Sequence, residues 1–229
     1  MSADDLYAIL LSLKVAAAAT IFGLPLALLA AQALSRRRGR RRLGLTLLEA
    51  VVHLPLVLPP VATGYVLLLL LGRNGPVGSV LAQVGIVFAF DWTGAALASA
   101  VMAFPLMVRP IRLAIEAIDA DVGDSARTLG AGRLTRFLRL TVPLAAPGLM
   151  AGAVLGFAKA LGEFGATITF VGAAPRETLT LPTAIYQAIQ APGGEAKAIA
   201  LCAVSAVLAF GAVLAADAAG RWAARRVER

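Results

Sequence analysis

Five long apolar runs occupy most of this chain of 229 residues. They cover residues 6–34, 45–71, 92–111, 142–171 and 198–216. About 20 apolar residues in helical form cross the hydrocarbon core of a bilayer, and lipid offers the backbone no hydrogen-bond partners. A composition that is 59% hydrophobic and 15% charged agrees with a membrane location. The runs predict an all-α integral membrane protein with five transmembrane helices in one domain, residues 1–229, whose core is about 6–217.

The basic residues predict the orientation of these spans. Of the 21 lysines and arginines, six lie in residues 36–42, six in 109–139 and four in the tail, 218–229. Positive side chains next to spans favour the cytoplasmic side, so we expect the N-terminus outside and the C-terminus inside. This placement also explains the net charge of +8. Membrane lipid is therefore the expected partner of these arginines, and nucleic acid is not.

The second run is interrupted by Pro55, Pro59, Pro60 and Gly64. Proline removes a backbone donor, and the carbonyl freed by it needs a partner inside a bundle or in a water-filled pathway. The pattern fits a kinked packing helix and a pathway-lining helix equally well. A further apolar stretch, residues 77–90, is too short to span the membrane and is predicted to be re-entrant or interfacial.

Two opposite charges lie inside the fourth run. Lys159 and Glu163 are four residues apart, so they share one face of a helix and can pair. Ionisable side chains within a span usually mark function, whereas a structural ion pair would fix the packing of this helix. We expect Glu163 to orient Lys159 or to bond the backbone near Gly162 and Gly165.

Several catalytic and metal sites are excluded by the sequence. None of the three lysines stands in a G-x-x-x-x-G-K-[ST] phosphate loop, and no G-x-S-x-G nucleophile elbow is present. One histidine and one cysteine cannot form a His/Cys metal cluster. No catalytic residue, bound cofactor or metal ligand is therefore predicted.

A polar segment, about residues 112–141, separates the third and fourth runs. A short helix from Ser125 to Leu129 is followed by a turn at Gly130 and Gly132 and by a second helix that Pro143 leads into the membrane. This pattern predicts a rigid elbow on the cytoplasmic face. An ordinary solvated loop is the alternative.

The elbow resembles the signature of the permease subunits of bacterial ABC importers, in which E-A-A is followed by glycine and then by I-x-L-P. This chain has Asp124-Ser125-Ala126, then Gly130, then Leu140-Thr141-Val142-Pro143 in the same register, with Asp for Glu and Ser for the first Ala. The stretches SARTLGAGRLTRF, LPLVLPPVATGY and LGEFGATITFVGAAPRETLTLPTAIY are similar to molybdate importer permeases in particular. The resemblance covers about residues 6–222.

This resemblance implies a type I ABC importer membrane fold in which the elbow couples to a separate ATPase subunit. ATP and Mg²⁺ would bind that subunit, two copies of the permease would enclose the pathway, and an extracytoplasmic binding protein would deliver the oxyanion. The implied coupling residues are Asp124, Ser125, Ala126, Arg127, Leu129, Gly130, Ala131, Gly132 and Pro143.

The cargo implied is molybdate, with tungstate open, in the cytoplasmic membrane of a bacterium. A sulfate or thiosulfate permease is the nearest alternative; a small membrane channel or enzyme is an alternative from another class. The candidate pathway residues are Pro59, Pro60, Thr63, Gly64, Tyr65, Lys159, Glu163 and Thr167. Thr63 and Tyr65 could equally be hydrogen-bond donors between helices.

Overall fold

The computed structural model describes residues 2–35 and 43–227, with nearly all side chains up to residue 215. Throughout that part of the chain the regular structure is helical. The helices are α1 Ala3–Ser35, α2 Leu43–Val57, α3 Pro60–Leu71, α4 Gly78–Gln83, α5 Trp92–Glu116, α6 Ala120–Thr128, α7 Arg133–Arg136, a π-helical segment Phe137–Thr141, α8 Val142–Leu144, α9 Ala146–Leu161, α10 Gly165–Val171, α11 Leu181–Gln190 and α12 Glu195–Val227.

The core of the bundle is formed by α1, α5 and α9. Three glycines spaced by four, Gly148, Gly152 and Gly156, are buried on one face of α9 against α5. A Cβ atom on Gly152 would come within 2.9 Å of the Met107 carbonyl oxygen. Small residues at this spacing let two helix backbones approach closely in a membrane, where packing rather than hydrophobic burial drives association.

The predicted all-α membrane fold is confirmed, and the candidate spans among the described residues differ in straightness. Three helical stretches are long and apolar enough to cross a bilayer: Ala3–Ser35, Trp92–Glu116 and Glu195–Ala215. Two bent pairs complete five spans if each pair crosses once. The helix direction bends by 117° between α2 and α3, and by 69° between the run Arg133–Leu144 and α9.

The third and fourth spans differ from the predicted bounds. Helix α5 continues five residues beyond 111, to Glu116, and Asp91 starts it as an N-cap that accepts from the Thr93 N–H at 2.8 Å. Residues 142–171 are not one helix. They break at Ala145, which lies between Pro143 and Pro147, and again at Gly162–Phe164, between α9 and α10, where Gly162 and Gly165 flank the break.

Pro143 does not begin a membrane helix as predicted. It lies inside the helical run Arg133–Leu144, where Val142 donates its N–H to the Phe137 carbonyl in π-helical spacing. Pro143 has no backbone N–H to donate and lies directly after that wider turn. A residue without this donor is expected where the regular hydrogen bonding of a helix is interrupted. Pro147, in the first turn of α9, occupies the place predicted for Pro143.

The connection 172–197 contains a helix that the sequence analysis did not separate. Ser12 of α1 caps α11, since its Oγ accepts the Leu181 N–H at 2.6 Å. The stretch 77–90 contains only the six residues of α4 as helix, too few to span the membrane. The arginines of 36–42 lie outside the described residues; α12 continues to Val227 within the basic tail, 218–229.

Candidate functional site

The polar segment folds as the predicted helix, turn and helix. Asp119 caps α6, accepting the Asp121 N–H at 3.0 Å. Helix α6 is longer than the sequence indicated and ends at Thr128. Gly130 follows with φ of +81°, a left-handed conformation that glycine adopts without a Cβ clash. The elbow, defined here as residues 119–136, thus turns sharply at one glycine.

The elbow exposes apolar side chains although its sequence is largely polar. None of the residues of α6 is buried. Leu129 is 87% exposed and Leu134 is 69% exposed. Exposed apolar groups with polar neighbours are typical of a surface that a partner covers. Candidate residues Asp124, Ser125 and Arg127 lie exposed around this surface, and Ala126 and Ala131 are partly buried.

One side chain ties α6 to the helix that follows it. Arg136 donates from Nη1 to the Gly123 carbonyl at 3.4 Å. Between the elbow and the ends of α1 and α5 lies a cavity of about 380 Å³. The buried Nε of Arg136 and Oε1 of Gln32 line its walls with no hydrogen-bond partner among residues 2–35 and 43–227. A gap therefore separates part of the elbow from the ends of α1 and α5.

The base of α5, next to the elbow, is fixed by ion pairs. Arg112 contacts Glu49 of α2 at 2.8 Å and Glu116 at 2.7 Å. These contacts join α2 to the helix that carries the elbow.

The structure brings Lys159 and Glu163 together at the break between α9 and α10. Lys159 Nζ lies 2.5 Å from Glu163 Oε2, and the other carboxylate oxygen accepts the Ala166 N–H at 3.0 Å. The Glu163 side chain is 2% exposed and that of Lys159 is 30% exposed. Glu163 thus orients the lysine and caps α10 at once. Its backbone partner is Ala166, next to the predicted Gly165.

Helices α3 and α10 start side by side. A Cβ on Gly64 would lie 2.5 Å from the Ala166 carbonyl oxygen, and one on Gly165 would lie 2.7 Å from Pro60 Cβ. Pro60 is the first residue of α3, so the proline break in the second run and the glycine break in the fourth run form one junction. We call it the α3–α10 junction: residues 59–65 and 163–167.

The other pathway candidates divide into buried and exposed residues. Thr63 and Thr167 are buried, and Thr167 donates to the Phe164 carbonyl at 2.9 Å, so its hydroxyl is satisfied locally. Pro59, Pro60 and Tyr65 are exposed. Within one chain, the exposed surface of the junction is therefore formed by two proline rings and the phenol of Tyr65 rather than by the two threonine hydroxyls.

Sequence reasoning missed one contact at this junction. Phe164, the residue before α10, packs against Tyr186 of α11 with ring centroids 5.0 Å apart. The two residues are far apart in sequence, and no spacing rule connects them. The close contact of α9 with α5 was not predicted either, although two overlapping G-x-x-x-G patterns in the sequence of α9 could have indicated it.

A family model for the binding-protein-dependent transport system inner membrane component matches residues 23–229. The chain belongs to this family. The permease is 52% identical over 219 residues to the molybdenum transport system permease protein ModB of Escherichia coli K12, covering 95% of this chain and 93% of that protein. It is 46% identical to ModB of Haemophilus influenzae, covering 98% and 96%.

A more distant relative of this permease is the sulfate transport system permease protein CysT of Salmonella typhimurium, 36% identical with 87% and 72% coverage. Among solved structures, a bacterial alginate ABC transporter aligns with a TM-score of 0.74 at 23% identity, covering 96% and 80%. The inward-facing MetNI methionine ABC transporter aligns with a TM-score of 0.71 at 18% identity, covering 97% and 99%. The fold is that of type I ABC importer permeases.

Proposed function

We propose that this permease carries molybdate through the cytoplasmic membrane as the membrane subunit of an ABC importer. The observation that carries the proposal is the exposed elbow, with Leu129 and Gly130 at its turn. The chain is also about half identical, over nearly its full length, to proteins named for molybdenum transport. The elbow supports the proposed docking to an ATPase subunit, and the similarity to these relatives supports molybdate as the transported anion.

The elbow faces the cytoplasm in this proposal and docks on a separate ATPase subunit, which binds ATP and Mg²⁺. Closure of two ATPase subunits on ATP moves both elbows as rigid levers. Such a switch is driven by the difference in binding free energy between two states. The N-terminus lies outside and the C-terminus inside, as the distribution of arginines favours.

Two copies of the permease enclose the pathway, because one bundle of this size leaves little room within itself. The exposed side of the α3–α10 junction lines that pathway. A binding protein on the outer face delivers the oxyanion. Lys159 contributes positive charge that Glu163 neutralises in the resting state, so the anion passes without being held tightly.

Transport in proteoliposomes tests the proposal. The permease is reconstituted with an ATPase subunit and an oxyanion-binding protein of a molybdate importer, and ATP-dependent uptake is measured for molybdate, tungstate and sulfate. We expect uptake of molybdate, with tungstate as a competitor. Uptake of sulfate alone would support the alternative sulfate permease. A flux that does not require ATP would indicate a channel.

A further inference from the structure

A groove on the flank of the bundle is much larger than the cavity behind the elbow. Its volume is about 660 Å³, and it lies between α1, α2 and α5. We call it the flank groove; Phe22, Leu26, Val51, Pro55, Trp92 and Val101 are among its lining residues. Phe22 is 75% exposed and Val51 is 65% exposed, so the groove opens sideways, to the surface that faces lipid in a membrane.

The lining of the flank groove is apolar almost throughout. The hydroxyl of Thr93, one of its few polar groups, donates to Asp91 at 2.5 Å and needs no other partner. An apolar groove on a membrane-spanning flank is filled by hydrocarbon, since leaving it empty forfeits dispersion contacts on every wall. A lipid chain supplies those contacts without any polar cost.

The length of the flank groove matches one leaflet. It follows α5 from Trp92 to Phe104, which is about 18 Å along a helix at 1.5 Å per residue. Half of the hydrocarbon core of a bilayer is about 15 Å. One acyl chain can therefore lie along it.

A cation marks the end of the groove opposite the elbow. Lys14 Nζ lies 3.5 Å from the ring centroid of Trp92, the residue that begins α5 and lines the groove. The lysine is exposed, and it forms no ion pair with any residue in 2–35 or 43–227. An ammonium on an indole face keeps its remaining donors free for an anion.

We propose that the flank groove binds one anionic glycerophospholipid, with an acyl chain against α1 and α5 and the headgroup phosphate at Lys14. The proposal goes beyond transport of the oxyanion and requires only that the chain is inserted in a membrane. Its failure would leave the proposed cargo and the ATPase partner untouched.

Native mass spectrometry of the purified, full-length permease tests this site. After removal of lipid, phosphatidylglycerol is added back and compared with phosphatidylethanolamine. We expect one phosphatidylglycerol to be retained per chain. Lys14→Gln should weaken its binding about fivefold, the effect of one lysine near a membrane surface, whereas Arg73→Gln, an exposed cation on the loop after α3, should not. Equal binding of both lipids by the parent protein, or an unchanged Lys14→Gln variant, would overturn the headgroup site.

Filling the groove tests the acyl chain. Val101→Trp should abolish retention, and Val207→Trp, on the exposed face of α12, should leave it intact; retention by Val101→Trp overturns the proposal. In case that variant fails to fold, a photo-crosslinking phenylalanine at position 101 reports the occupant directly. An adduct with the mass of a phospholipid supports the proposal. A crosslinked pair of permease chains would show that a second copy fills the groove and would overturn it.

Discussion

Glu163 uses both of its carboxylate oxygens, one for Lys159 and one for the Ala166 N–H. A glutamine at this position keeps an oxygen for the N–H and loses the charge that holds the lysine. Because Lys159 is partly exposed, its unpaired ammonium can be solvated. The substitution should therefore change the electrostatics of the junction more than its stability.

We predict that Glu163→Gln lowers molybdate uptake at least about tenfold, equivalent to about 1.4 kcal/mol in the barrier, with little change in the amount of assembled complex. Uptake in proteoliposomes and yield on size-exclusion chromatography measure the two quantities. Full uptake would assign the pair a purely structural role.

For single residues, the sequence predicted a contact between two charged side chains better than it predicted which side chains are buried. The Lys159–Glu163 contact followed from a separation of four residues. The burial of Thr63 and Thr167 did not, because a run that is apolar on all sides carries no signal for which face meets another helix. Both threonines remain only predictions as pathway residues.

The backbones of α3 and α10 lie so close at the α3–α10 junction that a side chain has little room there. Gly64→Ala places a methyl group 2.5 Å from the Ala166 carbonyl oxygen. We predict that it destabilises the permease by about 1–3 kcal/mol, as overpacking does, and lowers the melting temperature in detergent. Gly211→Ala is the control, since a Cβ there meets nothing within 4 Å. Helix propensity alone would make both substitutions stabilising, so an equal rise in the two melting temperatures would contradict the close contact.

The turn of the elbow at Gly130 can be tested by substitution. Gly130 has φ of +81°, which costs other residues about 1–2 kcal/mol, and a side chain there meets nothing within 4 Å. Gly130→Asp should therefore reshape the turn while the bundle stays intact. We expect co-purification of the ATPase subunit to fall at least about tenfold, which is 1.4 kcal/mol in affinity.

Gly123→Ala, within α6 and equally uncrowded, is the matched control for the elbow and should bind the ATPase normally. Normal uptake by Gly130→Asp would refute the coupling role of the turn. The sequence located this element through its glycines. It did not reveal the π-helical segment, which depends on how Pro143 is accommodated after the turn.

The whole molecule has a direction in the membrane that labelling can measure. In a Cys202→Ser background, Asn74→Cys lies on the loop after α3 and Ser125→Cys lies on the elbow. We predict that an impermeant maleimide added to spheroplasts, whose inner membrane is intact, labels Asn74→Cys and labels Ser125→Cys only after lysis. The reverse pattern would invert the proposed orientation.

The five predicted spans match the structure only if each bent pair of helices crosses the membrane once. The all-helical membrane fold could be predicted because hydropathy and length report membrane crossing directly. The angles could not. The 117° bend between α2 and α3 depends on packing between segments that are far apart in sequence. Prolines predict that a helix breaks but not the direction in which the chain continues.

The exposure of Leu129 and Leu134 also bears on how long a newly synthesised permease survives before assembly. In the proposed orientation, a permease that inserts without its ATPase would display both leucines to the cytosol, as exposed apolar groups of the kind that chaperones and proteases recognise. Surplus copies would be degraded until their number equals that of the ATPase. The surface proposed to couple the two subunits would thus also set their stoichiometry during synthesis.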